Sequence, residues 1–226
     1  GELPAGERLP AERELAKNLG VSRPTVREAM IALEIAGLVE VRTGTGVFVR
    51  MLESERSTES IAQTRFDVGP SPFDLLSARL MIEPEVAAVA ARSATPEDIR
   101  AIEASIAALQ SARDHRTSLE ADHLFHSNVA AASGNSVVVG IVEGLWRDMS
   151  SPVFEALSSQ TGLPDTDSMT IADHQEILHT IESRNSEGAR DAMRMHLLHV
   201  EDILSAGEEP EEDGTGPLKT HSQPAK

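Results

Sequence analysis

The chain contains no cysteine and no tyrosine, and aromatic residues make up 3% of its 226 positions. Without cysteine there can be no disulfide, thiolate zinc site, iron–sulfur cluster or cysteine nucleophile, so any metal must be held by histidine and carboxylate side chains. Scarce aromatics disfavour β-sandwiches and base-stacking platforms and suit a helical protein packed from Ala, Leu and Ile. No apolar run approaches the roughly 18 residues of a membrane span, and nothing at the start reads as a signal peptide. The expectation is a soluble cytoplasmic protein with no membrane partner. Positive charge is also scarce: 20 Lys and Arg stand against 37 Asp and Glu, a net charge of −17, which argues at first against nucleic acid. With 40% apolar residues the chain can still bury a sizeable core.

The negative charge is unevenly placed. In the first fifty residues Arg8, Arg13, Lys17, Arg23, Arg27, Arg42 and Arg50 balance Glu2, Glu7, Glu12, Glu14, Glu28, Glu34 and Glu40, so the whole surplus lies beyond them. Two electrostatically different parts follow. In the first, residues 11–19 have helical spacing and stop at Gly20. A second helix should start at Ser22, with Pro24 tolerated in its first turn, bury Val26, Ala29, Met30, Leu33 and Ala36, and end at Gly37. Residues 38–42 alternate apolar and polar, Thr43-Gly44-Thr45-Gly46 supplies a turn, and Val47-Phe48-Val49 returns. The pattern is a winged helix-turn-helix, expected over residues 1–52. Residues 53–70 read as a linker. Residues 71–206 are helical in period, with starts at Ser71-Pro72 and Thr95-Pro96 and near Thr117, Asn135, Asp167 and Asn185, which implies an all-α bundle of six or seven helices. The acidic tail, 207–226, is expected to be disordered. The chain begins at Gly1 without Met, as a trimmed fragment would. The predicted fold class is mainly α, with one small β-hairpin.

Arg23 and Arg27, four apart at the start of the second helix, put like charges on one face, which costs an isolated helix about 0.2–0.5 kcal/mol. An external phosphate offsets that repulsion, and a helix N-terminus already favours one. Arg13 can face the same side, Ser22 and Thr25 can donate to phosphates, and the glycine wing lets backbone approach a groove. The alternative is that the arginines pair with Glu14 and Glu28 on a solvated face.

The segment LPAERELAKNLGVSRPTVREAMIALEIAGLVEVRTGTGVFV closely resembles the winged helix-turn-helix of the GntR superfamily of bacterial transcription regulators, in its FadR-like branch, over nearly all of residues 3–50. The resemblance implies a homodimer on a palindromic double-stranded operator, with Arg13, Arg23 and Arg27 at DNA-contact positions and the wing, Thr43, Gly44 and Thr45, entering the minor groove. Family members normally carry a further helix before the LPxGxxLPxE segment, which this sequence starts too late to contain.

Asp122 and His126 stand at i, i+4, about 40° apart around a helix. With His174 and His196 on later helices they could hold Zn²⁺ or a similar ion and leave one coordination position open. His115, His123, His179, His199 and His221 compete on spacing alone, and histidines on polar faces are the bland reading. Residues 73–204 resemble the FCD ligand-binding domain of the same branch through FDLLSARLMIEPEVAAVAA, DHLFHSNVAAASGN and DHQEILHTIESRNSEGARDAMRMHLLHV. That resemblance implies a divalent metal on Asp122, His126, His174 and His196, zinc first with nickel or manganese as alternatives, and a small carboxylate effector completing its shell. His199 is the rival for the last ligand. Arg79, matching the arginine of the family's first-helix signature, is expected to clamp the effector carboxylate or else to pair with Glu83; Asn135 and Arg147 are further pocket candidates. SSPVFEAL and ADHQEIL resemble members that respond to sugar acids such as hexuronates or aldonates. The expected function is a ligand-responsive transcription regulator, a repressor and not an enzyme. The alternative is a metal-dependent hydrolase on the same Asp/His cluster, which would lack a glutamate base in a His-Glu-x-x-His pattern.

Overall fold

The structure, a computed structural model, describes residues 3–42, 45–51, 69–161 and 168–206, which form nine helices and two strands. Helix α1 (Glu12–Leu19) stops because Gly20 adopts a left-handed conformation, φ 70°, and returns its amide to the Ala16 carbonyl. Helix α2 (Arg23–Ile35) starts where Ser22 accepts a hydrogen bond from the Thr25 amide at 3.2 Å, with Pro24 in the first turn. Ala16, Val26 and Ile31 are buried on their inner faces. Strands β1 (Val39–Arg42) and β2 (Gly46–Val49) pair antiparallel, Val39 opposite Val49 and Arg42 opposite Gly46.

The wing has a third, shorter member that hydrophobic alternation did not reveal. Arg8 bridges antiparallel to Phe48, with Leu9 N–H on Val47 O at 2.8 Å and Val49 N–H on Glu7 O at 2.9 Å. The Arg8 guanidinium lies over Gly46, φ 117°, where a Cβ would meet it at 2.6 Å. Thr43 and Gly44 lie outside the described residues, as do the expected tail and all but Gly69 and Pro70 of the expected linker.

Seven helices follow: α3 (Pro72–Ser93), α4 (Pro96–Ser111), α5 (His115–Ala132), α6 (Ser136–Asp148), α7 (Pro152–Thr161), α8 (Ser168–Glu182) and α9 (Ser186–Ala206). Their starts carry legible caps. Ser71 caps α3, Thr95 and Asp98 form a reciprocal capping box on α4, and Asn135 Oδ1 accepts two amides of α6. Two starts refine the sequence reading. Helix α5 begins before Thr117 because Asp114 takes the cap position and Thr117 serves as its capping-box partner. Helix α7 had no separate start assigned, yet Ser151-Pro152 has the same Ser-Pro form as the start of α3, and Ser151 Oγ accepts from the Phe154 amide.

Helix α3 runs through the middle. Its Ala87, Ala88, Ala90 and Ala91 have no exposed surface, and such small side chains let neighbouring helices approach closely. It packs along α9 and also touches α5, α6 and α8. One apolar cluster, with Leu76, Ile102, Phe125, Ile177, Met193 and Leu197, fills the space among α3, α4, α5, α8 and α9. A second, with Leu75, Val86, Val142, Trp146, Met149 and Phe154, lies where α3 meets α6 and α7. The Arg184 guanidinium, in the turn between α8 and α9, donates to the carbonyls of Ala91 and Ala94 and ties that turn to the end of α3.

Candidate functional site

On the helix-turn-helix, Arg13 and Thr25 are exposed, and the Ser22 and Thr25 hydroxyls lie 2.8 Å apart at the start of α2. Arg23 is half-buried beside them. Thr45 is exposed in the wing turn, its amide on the Arg42 carbonyl. Arg27 departs from the expected surface. It is buried, pairs with Glu12 at 3.4 Å and donates to the Ser205 carbonyl of α9, because the side of α2 that carries it faces the bundle.

Inside the bundle the four residues singled out by spacing and resemblance converge. Asp122 and His126 project from one face of α5, His174 from α8 and His196 from α9, all buried, with one ligand atom of each within 4.8 Å of every other. Asp122 Oδ1 is 3.3 Å from His174 Nε2 and 3.8 Å from His126 Nε2; His196 Nε2 is 3.3 Å from both His174 Nε2 and His126 Nε2. Nitrogens about 2.0–2.1 Å from one zinc ion at tetrahedral angles would lie about 3.3–3.4 Å apart. Asp122 Oδ1 is buried without a hydrogen-bond partner, a costly state for a carboxylate oxygen that a cation relieves. Donor set, spacing and this orphaned oxygen fit a divalent ion.

The surroundings orient the rings. His126 Nδ1 hydrogen-bonds Glu83 Oε2; a carboxylate only accepts, so the proton sits on Nδ1 and the Nε2 lone pair faces the cluster. Glu83 also accepts from Arg79 Nε at 2.6 Å. Burial alone would raise the Glu83 carboxyl, but the charges of Arg79 and His126 outweigh it and hold the group below the usual carboxylate range. Asp173 accepts from His199 Nδ1 at 2.8 Å and lies 3.7 Å from His196 Nδ1, so His199 stands behind the cluster, one residue removed from it. Phe125 stacks on His174 with ring centres 3.9 Å apart.

Beside the cluster is a pocket whose polar wall is Arg79, Asp122, Thr170 and His196 and whose apolar wall is Leu119, Met149, Phe154 and Val200. Arg79 is buried, its guanidinium 4.5 Å from the Trp146 ring centre. Its ion pair with Glu83 uses Nε and leaves Nη2 buried with no partner. Pairing with Glu83 and reaching for a ligand are therefore compatible. Asn135 and Arg147 do not line this pocket: Asn135 is exposed and spends its side-chain oxygen on capping α6, and Arg147 is exposed on the last turn of that helix. Trp146, Glu83, Phe125 and Asp173 are the neighbours that sequence reasoning did not assign to the site; only Glu83, one turn from Arg79, left a spacing signal.

Burial, reinforced by the neighbouring charges of His196, His126 and Arg79, pushes His174 well below the usual imidazole range. His126 and His196 are lowered too, burial again leading and partly opposed by Glu83 and Asp173 respectively. Imidazoles kept neutral when folded but free to protonate when unfolded make the unfolded state bind more protons, so stability present above the unfolded value of about 6.5 is lost as pH falls below it. Thermal melts of chelator-treated protein should drop steadily from pH 7 to pH 5, by up to about 1.4 kcal/mol per pH unit for each histidine that stays neutral. Asp122, raised by burial, works in the opposite sense once it begins to take up a proton. A melting temperature flat across this range would mean that the folded chain takes up as many protons as the unfolded one, contrary to this account.

Residues 1–49 match the family of bacterial regulatory proteins, gntR family, and residues 74–199 match the FCD domain. The chain is 37% identical over 215 residues to a Uxu operon regulator of Haemophilus influenzae, covering 92% of this chain and 79% of the relative. It is 35% identical over 203 residues to the Exu regulon transcriptional regulator of Escherichia coli, covering 88% and 76%. A crystal structure of a GntR family transcriptional regulator from Pseudomonas syringae aligns with a TM-score of 0.51 at 26% identity, covering 91% of this chain and 78% of that one. These relatives and families are transcription regulators and not enzymes, and nothing in them supports a hydrolase. Among the described residues no helix is long and apolar enough to cross a membrane. Helix-turn-helix, hairpin and helical bundle together are the parts of a two-domain regulator, and the chain belongs to the GntR family of bacterial transcription regulators, in its FadR-like branch with an FCD domain.

Proposed function

We propose that the chain is a dimeric repressor that binds a palindromic operator and is controlled by a small carboxylate, a sugar acid or hydroxy acid, held beside a divalent ion in the bundle. The observation that carries this reading is the meeting of two features in one pocket: the Asp122, His126, His174 and His196 donor set, and the buried, unpartnered Nη2 of Arg79. A donor set of three imidazoles and one carboxylate favours zinc, with nickel and manganese as alternatives. The ion would supply concentrated positive charge for an anionic ligand. Arg79 would bind the carboxylate, Thr170 would offer a hydroxyl, and the apolar wall would exclude water. On DNA, Arg13, Arg23, Ser22 and Thr25 would meet phosphates and base edges in the major groove, and Thr43, Gly44 and Thr45 the minor groove, with dimer half-sites about one helical turn apart.

The test is fluorescence anisotropy with an operator duplex selected from random sequence, using zinc-loaded protein. Binding should weaken steeply with salt, because the contacts are local arginines on a chain of net charge −17. At least one of L-lactate, gluconate, glucuronate and galacturonate should weaken it about tenfold or more. Operator affinity unchanged by every hydroxy acid and sugar acid tried would overturn the effector reading.

A further inference from the structure

The helix that carries the DNA-facing residues is fastened to the bundle by three chemically different contacts. Arg27 of α2 is 8% exposed; its Nη1 donates to the Ser205 main-chain carbonyl at 3.3 Å and its Nη2 pairs with Glu12 of α1 at 3.4 Å. Ser205 belongs to the last turn of α9, whose carbonyls lack intrahelical partners and whose dipole favours a cation. One turn further along α2, Ile31, 4% exposed, belongs to the bundle's larger apolar cluster. Glu28 accepts from the hydroxyl of Ser71, the cap of α3, at 2.8 Å. Helix α9 is thus shared: it carries His196, and nine residues on, about 14 Å along its axis, it carries the carbonyl that holds Arg27. The same conformation has the four ligand atoms of the cluster already within 4.8 Å of one another.

We propose that Arg27 is an autoinhibitory latch: the assembled metal cluster and the docked α2 are one state, joined through α9, and operator DNA competes with the C-terminal end of α9 for the recognition helix. The inference rests on the reading of the cluster as a metal site and goes beyond it by naming the contact through which that site regulates α2. Because the coupling is reciprocal, it can be read without DNA. Undocking α2 must weaken metal binding at a site that Arg27 does not touch.

The experiment titrates zinc, by calorimetry and without operator, into the wild-type chain, Arg27→Ala, Ile31→Ala and, as a control on an exposed residue of α1, Lys17→Ala. It also follows amide hydrogen exchange at residues 23–31 and 200–205, with circular dichroism to show that the helices are retained. Arg27→Ala and Ile31→Ala should each weaken zinc binding about fivefold or more and speed exchange in both segments, while Lys17→Ala changes neither. Exchange unchanged in Arg27→Ala would overturn the latch. Faster exchange with zinc affinity within about twofold of wild type would overturn its coupling to the metal site. If the wild-type chain binds no zinc, the metal reading fails on its own and hydrogen exchange alone decides whether the latch exists.

Discussion

His174→Ala is expected to abolish retention of a divalent ion by the bundle. Zinc bound by four protein ligands is worth about 10–16 kcal/mol at neutral pH, so one ligand carries about 3–4 kcal/mol, a loss of affinity of about 10²–10³. His174 has no exposed surface and its Nε2 is 3.3 Å from both Asp122 Oδ1 and His196 Nε2, so no other described side chain can take its place without moving a helix. Elemental analysis after dialysis should find about one ion per wild-type chain and a small fraction of that in the variant. Asp122→Asn sharpens the test, because its two effects have opposite signs. It removes a buried carboxylate whose Oδ1 has no hydrogen-bond partner, so the metal-free protein should melt higher, while metal content should fall. An Asp122→Asn variant that keeps the ion would remove Asp122 from the ligand set.

The second large effect is on stability. Arg79→Met should cost about 3–5 kcal/mol, because it leaves the Glu83 carboxylate buried without its counter-charge. The double variant Arg79→Met with Glu83→Leu should recover part of that loss, since replacing a buried ion pair by apolar residues of similar volume is often neutral, while His126 Nδ1 is left without its acceptor. Denaturant melts of the two single variants and the double variant measure the coupling directly. The role proposed for Arg79 predicts a second outcome: the recovered double variant should fold and still fail to bind a carboxylate. If it bound one as tightly as wild type, Arg79 would be a structural ion-pair partner and nothing more.

How far the sequence carries depends on whether a feature is local. The caps at Ser22, Ser71, Thr95 and Asn135 and the glycine stop at Gly20 are written in consecutive residues, and the structure realises them. The start of α5, expected near Thr117, falls at His115: Asp114 and Thr117 are both cap formers three residues apart, and only the backbone at Asp114 decides between them. Within the site, Asp122 and His126 were legible as an i, i+4 pair and Glu83 as a partner of Arg79. His174 and His196 came from family resemblance, because no spacing rule joins α5 to α8 and α9. Phe125 under His174, Trp146 beneath Arg79 and Asp173 behind His196 are products of helix packing, invisible in a linear pattern. Arg27 shows the same limit from the other side. The resemblance places it among the DNA-contact positions, and the packing of α2 on the bundle turns it toward Ser205. The net negative charge, which at first argued against DNA, proved to be a property of the residues beyond the first fifty.

The central claim is that ion and effector occupy one site, and calorimetry of carboxylate binding tests it most directly. Chelator-treated and zinc-loaded protein would be titrated in parallel with the carboxylate that acts on operator binding. The loaded protein should bind it at least about tenfold more tightly than the stripped protein, and the Arg79→Met, Glu83→Leu variant should bind it weakly in either form. Equal affinity with and without the ion would contradict the claim and leave the cluster a structural element of the bundle.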